Sequence, residues 1–254
     1  MRSYLIGAAV LAALALSSAQ AVTLFDSGGF ESYAAGDISG QHGWQTSGYH
    51  MGGTQPVQPA LITPFAGHGN VVEFNDVEFT QTPIEINFAN ITGTYKYAQA
   101  SFDYYRDGTG NFNNLVFWPN GNNPWGGWFW DNASNAPSKL MPFGFGTPAV
   151  NQTPNAWMNV SVLFDLQNGL GTGWVNGVKV ADNINIGTGD FAGWYFSDNN
   201  TVDQGRTPGA IGEKAYLDNF NLVAGNSLSE VPEPSSLALL AGGLLPLLAL
   251  RKRR

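Results

Sequence analysis

Two stretches of this chain alternate apolar and polar side chains with a period of two, a spacing that suits a strand and not a helix. Ala98, Ala100, Phe102 and Tyr104 interleave with Gln99, Ser101, Asp103 and Tyr105; Met158, Val160, Val162 and Phe164 interleave with Asn159, Ser161 and Asp165. Shorter candidate strands cover 71–74, 84–88, 115–118, 127–130 and 216–223. Gly173-Trp174-Val175 and Val178-Lys179-Val180 flank Asn176-Gly177, a dipeptide that supplies both positive φ values of a type I′ hairpin turn. No amphipathic stretch at helical spacing exceeds about two turns. Many short strands separated by Gly, Asn and Pro predict an all-β, two-sheet antiparallel sandwich.

The two ends read differently. Met1-Arg2, an apolar run from Tyr4 to Leu16 and then Ser17-Ser18-Ala19-Gln20-Ala21 have the order of a signal peptide, with Ala19 and Ala21 forming the cleavage site and a signal helix before it. At the other end, Pro232-Glu233-Pro234 leads into an uncharged run from Leu237 to Leu250 and then Arg251-Lys252-Arg253-Arg254. That apolar helix is shorter than the roughly 20 residues a comfortable span needs, and Gly242, Gly243 and Pro246 weaken it. The four cations after it hold that end in the cytoplasm. The chain therefore divides into 1–21, a signal peptide; 22–229, one β-sandwich domain; and 230–254, a sorting segment.

Charge and cysteine content narrow the partners. The terminal segments hold five of the 11 cations and two of the 19 acids, leaving 6 cations and 17 acids in the domain, a net −11. That balance argues against nucleic acid and anionic lipid, both of which need Lys and Arg. The chain has no cysteine, so no disulfide or thiolate metal site can hold the exported fold, and stability falls to an apolar core.

The Pro-Glu-Pro tripeptide, short apolar helix and basic stop resemble the PEP-CTERM sorting signal of Gram-negative bacteria. The resemblance implies processing by an exosortase-type membrane protease, with transient anchoring in the inner membrane and then release or display at the cell surface. Within the domain, Trp157 to Asp165 followed by Gly173 to Val178 resembles the laminin-G and concanavalin-like pattern. Phe30-Glu31-Ser32-Tyr33, Gly36-Asp37 and Gly40 to Trp44 resemble the opening strand of jelly-roll domains, and Ala215 to Leu222 their closing strand. This resemblance implies a concanavalin-like jelly roll, a fold that hosts lectins, lyases, hydrolases and structural modules.

Candidate site residues follow. Counted strictly in twos, Asp218 shares the side of Tyr216, Phe220 and Leu222, the core side. A carboxylate there must be hydrogen-bonded, paired or metal-bound, or be swung outward by a β-bulge. The jelly-roll resemblance implies a structural calcium, held by Asp218 with oxygen ligands from the opening strand near Glu31. Trp118, Trp125, Trp128 and Trp130 fall within 13 residues. Parity sets Trp128 and Trp130 opposite Phe129, so Trp125, Trp128 and Trp130 form either a sugar-stacking surface beside Asn120, Asn122, Asn123 and Asp131 or a cap on the core. Glu73, Asp76 and Glu78 resemble the carboxylate strand of laminarinase-type hydrolases, but Glu73 has the wrong parity. His42, His50 and His68 match no zinc or triad spacing and read as solvated loop residues.

Together these readings describe an exported cell-surface or exopolysaccharide-matrix module that binds extracellular polysaccharide without catalysis. The alternatives are a structural matrix protein with no tight ligand, or a polysaccharide lyase or glycoside hydrolase. Mass spectrometry of the released protein is expected to find no peptide from 1–21 and none from Leu237 onward. Released material carrying an intact C-terminus would contradict the sorting expectation.

Overall fold

A computed structural model describes residues 21–47, 56–75, 80–107, 115–119, 130–131, 139–141, 150–151, 153, 155–199 and 214–228, without the side chains of 115–119, 130–131, 139–141 and 198–199. The strands are β1 (Val22–Asp26), β2 (Gly36–Asp37), β3 (Trp44–Thr46), β4 (Leu61–Phe65), β5 (Gly69–Asn75), β6 (Gln81–Asn87), β7 (Tyr97–Arg106) and β8 (Leu115–Pro119). They continue as β9 (Trp130–Asp131), β10 (Lys139–Met141), β11 (Val150–Asn151), β12 (Met158–Asp165), β13 (Leu170–Val175), β14 (Val178–Asn185), β15 (Gly193–Asn199) and β16 (Lys214–Gly225). A short 3-10 turn, Gly28–Phe30, follows β1. Among the described residues no helix is long and apolar enough to cross a membrane. The signal segment up to residue 20 and the sorting segment from residue 230 lie outside the described residues.

The strands form an all-β antiparallel sandwich. One sheet runs β14-β13-β12-β7-β16-β5-β4-β2, with β1 also paired to β16. The facing sheet runs β3-β6-β15-β8, and a small sheet joins β11-β10-β9. The period-two reading holds along β7 and β12: Ala98, Ala100, Phe102, Tyr104, Met158, Val160, Val162 and Phe164 are all buried. The Asn-Gly hairpin joins β13 to β14, with φ of 50° at Asn176 and 74° at Gly177.

Aromatic rings lock the two sheets together. From the larger sheet, Phe102, Phe164 and Phe220 meet Phe196 and Trp194 of β15: Phe102 and Phe196 lie edge to face at 5.4 Å, Phe164 and Trp194 at 5.9 Å, Phe196 and Phe220 at 5.1 Å. Trp44 of β3 joins Phe220 at 5.8 Å. Each ring is essentially inaccessible, and burying one contributes about 1.5–3 kcal/mol. In a chain without cysteine this contact is the principal tie between the layers.

β16 carries an irregularity that decides which side chains point outward. Its pairing with β7 shifts register between Asp218 and Asn221, and Asn219 has φ of 51°. Before this bulge Ala215 and Leu217 face the core; after it Phe220, Leu222 and Ala224 do. The expected core-side placement of Asp218 with Phe220 and Leu222 is therefore wrong. Asp218 and Tyr216 share the outer face of the larger sheet, because one extra residue at Asn219 inverts the alternation.

Candidate functional site

Five rings gather on that outer face. Tyr105 ends the outward phase of β7, Tyr216 lies beside it on β16, and Phe65 closes β4. The turn from β4 to β5 is Ala66-Gly67-His68, with His68 N donating to the Phe65 carbonyl at 3.0 Å. Trp157 precedes β12. Its indole stacks on the His68 imidazole at 4.0 Å and 22°, and meets Phe65 at 5.3 Å and Tyr105 at 5.4 Å. Phe65 in turn contacts both Tyr105 and Tyr216 at 4.9 Å. Phe65, Tyr105 and Trp157 are half-buried and the His68 side chain is 27% exposed, so the cluster presents ring surface to solvent. Trp157 Nε1 is buried and has no hydrogen-bond partner among the described residues.

Polar side chains border the rings. His68 Nδ1 lies 3.0 Å from Asp218 Oδ2. The Asn219 backbone N–H donates to Asp218 Oδ1 at 2.7 Å, while Asn219 Nδ2 donates to Asp103 Oδ2 at 2.8 Å and reaches Asp218 Oδ2 at 3.3 Å. Asn159 Nδ2 donates to Asp103 Oδ1 at 2.9 Å. On the other flank Lys214 Nζ pairs with Glu73 Oε1 at 2.7 Å, and the Lys214 N–H donates to Asp107 Oδ1 at 2.6 Å. Burial holds the Tyr216 phenol well above its ordinary range, and the charges of Glu73 and Asp107 push it further. The Asp218 carboxyl is also raised by burial, an effect opposed by the hydrogen bonds from His68 and Asn219.

Glu31 and Asp218 come together at Gly29, whose φ is 68°. A Cβ there would meet Asn219 Oδ1 at 3.2 Å, Asp218 Oδ1 at 3.7 Å and Glu31 Cγ at 4.0 Å. Gly69 is needed on the other side, since a Cβ at that position would overlap the Glu31 carboxylate. At Gly29 an Asp218 carboxylate oxygen and the Asn219 amide oxygen stand beside the Glu31 side chain, whose carboxylate lies against Gly69; carboxylate and amide oxygens are the hard donors that calcium takes. Among the described residues no three His, Asp or Glu side chains are placed to hold a metal ion, so the remaining ligands would have to be amide and backbone oxygens.

The other sequence candidates fall elsewhere. Trp125 and Trp128, the side chain of Trp130, His50, Asp76, Glu78 and Pro232, Glu233 and Pro234 lie outside the described residues. Of the histidines read as solvated loop residues, His42 is exposed in a turn beside Tyr33, as read; His68 also lies in a turn but is bound on two sides, and its reading is corrected. Phe65, His68, Tyr105, Trp157 and Tyr216 had not been singled out as a site. The available signal was two tyrosines at positions of β7 and β16 that a water-facing strand fills with polar residues.

A hollow of about 280 Å³ opens at the far end of the same face, over Gln99, Thr172 and Trp174. Its polar groups are engaged with one another: Gln99 Nε2 donates to Ser161 Oγ at 2.7 Å, and Lys179 pairs with Asp182 at 3.0 Å. The ring cluster, with its partly exposed ring surface, is the better candidate.

No family model and no curated protein matches the chain. Solved structures with similarity include a Trypanosoma rangeli sialidase (12% identity, TM-score 0.43), of which the chain spans 28% while 66% of the chain is covered. A structure reported for botulinum neurotoxin type C and its interaction with two ganglioside molecules has 13% identity and a TM-score of 0.46, covering 76% of this chain and 47% of that one. Domain 4 of a GH43 extracellular arabinanase from Geobacillus stearothermophilus, in complex with arabinotriose, has 14% identity and a TM-score of 0.46, covering 84% and 97%. The chain thus spans less than half of the sialidase and neurotoxin chains.

A carboxyl whose folded pKa is raised stabilises the fold fully below its unfolded value, here 3.8, and loses that contribution as pH rises through the folded value. Asp218→Asn is therefore expected to melt progressively higher than wild type as pH climbs above 3.8 in chelator. Thermal melts of both proteins from pH 3 to 7 test this. A difference that stays constant or shrinks with pH would contradict it.

Proposed function

We propose that this chain is an exported, non-catalytic module of the cell surface or exopolysaccharide matrix that holds extracellular polysaccharide on the outer face of its larger sheet. The observation that carries this reading is the ring cluster in which half-exposed Phe65, His68, Tyr105 and Trp157 pack over buried Tyr216, bordered by amides and carboxylates. Flat apolar rings stack on the C–H faces of sugars, and the groups around them hydrogen-bond to hydroxyls. Trp125, Trp128 and Trp130 are proposed on sequence grounds as a further sugar-contacting group. Exosortase-type processing and transient inner-membrane anchoring belong to the same proposal and rest on the sequences of the two termini.

Calcium is proposed as a structural ion held by Glu31 and Asp218 with Asn219. A ligand that binds only the folded state stabilises it by about 2.7 kcal/mol at a hundredfold excess over its Kd. The wild-type melting temperature is expected to rise by several degrees from chelator to calcium, and that of Asp218→Asn much less. Superimposable wild-type curves would remove the ion.

For the sugar surface, Trp157→Ala and Tyr105→Ala are expected to weaken retention by about two- to tenfold in affinity electrophoresis through the host's exopolysaccharide, the range that one aromatic contact supplies. A thermal melt of each variant checks the fold. Folded variants with unchanged retention would favour a structural matrix protein with no tight ligand.

A further inference from the structure

The bordering groups of the ring cluster specify the charge of what it binds. Resting on the polysaccharide reading above, we infer that the surface selects neutral polysaccharide and rejects uronate-bearing or sulfated chains. Glu31, Glu73, Asp103, Asp107 and Asp218 come from four separate parts of the fold: the turn after β1, β5, β7 with the residue after it, and β16. One ammonium and one imidazole stand against them among the described residues, and both are already committed. Lys214 Nζ is on Glu73, and His68 Nδ1 is on Asp218. Arg106 lies on β7 in the inward phase and is buried, away from this face.

Recognition of an anionic sugar relies on a free guanidinium fork or ammonium aimed at the carboxylate or sulfate. This face offers none among its described residues. It offers acceptors instead: both Asp103 oxygens take amide donors from its own neighbours, Asn159 and Asn219. Sugar hydroxyls can take the place of those amide donors; a carboxylate cannot, and it meets like charge. Burial first, and then the charges of Glu73 and Asp107, hold the proton on the Tyr216 phenol at the same face. Like charges brought together across an interface suppress the wrong partner, and the effect weakens as salt screens it.

The test uses the mature exported protein in chelator, so that no calcium bridges two anions. The probes are galactomannan and mixed-linkage β-glucan, each unmodified and each oxidised at C6 to the uronate. At low salt the unmodified form of whichever probe is retained is expected to bind on the order of tenfold or more tighter than its oxidised form. The gap should narrow in 0.5 M NaCl, roughly threefold or more, and in Glu31→Gln with Asp103→Asn. Equal or tighter binding of the oxidised form, or a gap unmoved by both salt and the double variant, would overturn the inference while leaving the polysaccharide reading intact. Retention of neither probe nor of the host's own exopolysaccharide would overturn the polysaccharide reading, and the inference with it.

Discussion

The extra residue at Asn219 is the constraint on which the arrangement of β16 depends. A strand that pairs with β1, β5 and β7 would, if regular, send Asp218 and Phe220 to the same side. One of the two would then be misplaced: a carboxylate in the core or a phenylalanine in water, each costly. The left-handed conformation of Asn219 resolves the conflict. Asparagine tolerates positive φ because its short amide can bond locally, and here the Asn219 amide and backbone N–H reach Asp103 and Asp218. The bulge is thus held by the same groups whose direction it sets.

From that point the two faces separate. Inward, Phe220 completes the ring contacts with Trp44, Trp194 and Phe196 that join the sheets without any covalent tie. Outward, Asp218 accepts from His68, and His68 lies flat on Trp157. The turn between β4 and β5 is thereby fixed against the start of β12, two segments nearly ninety residues apart in the chain. Glu31 reaches the same place from the opening turn because Gly29 and Gly69 leave room for it.

Much of the sandwich was legible in the sequence because period-two alternation and the Asn-Gly turn are local signals. The strands around Phe102 and Val162 and the β13–β14 hairpin appear where those signals place them. Asp218 was assigned the wrong face because counting in twos assumes a regular strand, and a single Asn gives no sign of whether it bulges. His68 is the loop residue it was read as, but its binding was not legible because its partners, Trp157 and Asp218, are distant in sequence and meet only when β5, β7, β12 and β16 assemble. Trp157 was taken as the opener of a strand, and it stands immediately before β12; that its ring lies on an imidazole is a tertiary fact.

The central claim is that the outer-face rings, oriented through Asp218 and His68, are where polysaccharide makes contact. Tryptophan indole N–H resonances test it most directly, since the Trp157 ring is half-exposed in the cluster while Trp44 is buried in the core, its Nε1 donating to the Tyr33 hydroxyl. Titrating the exported protein with an oligosaccharide from its host's exopolysaccharide is predicted to shift the Trp157 indole N–H, assigned by Trp157→Phe, and to leave the Trp44 resonance in place. Saturable binding that leaves the Trp157 resonance unmoved would contradict the account.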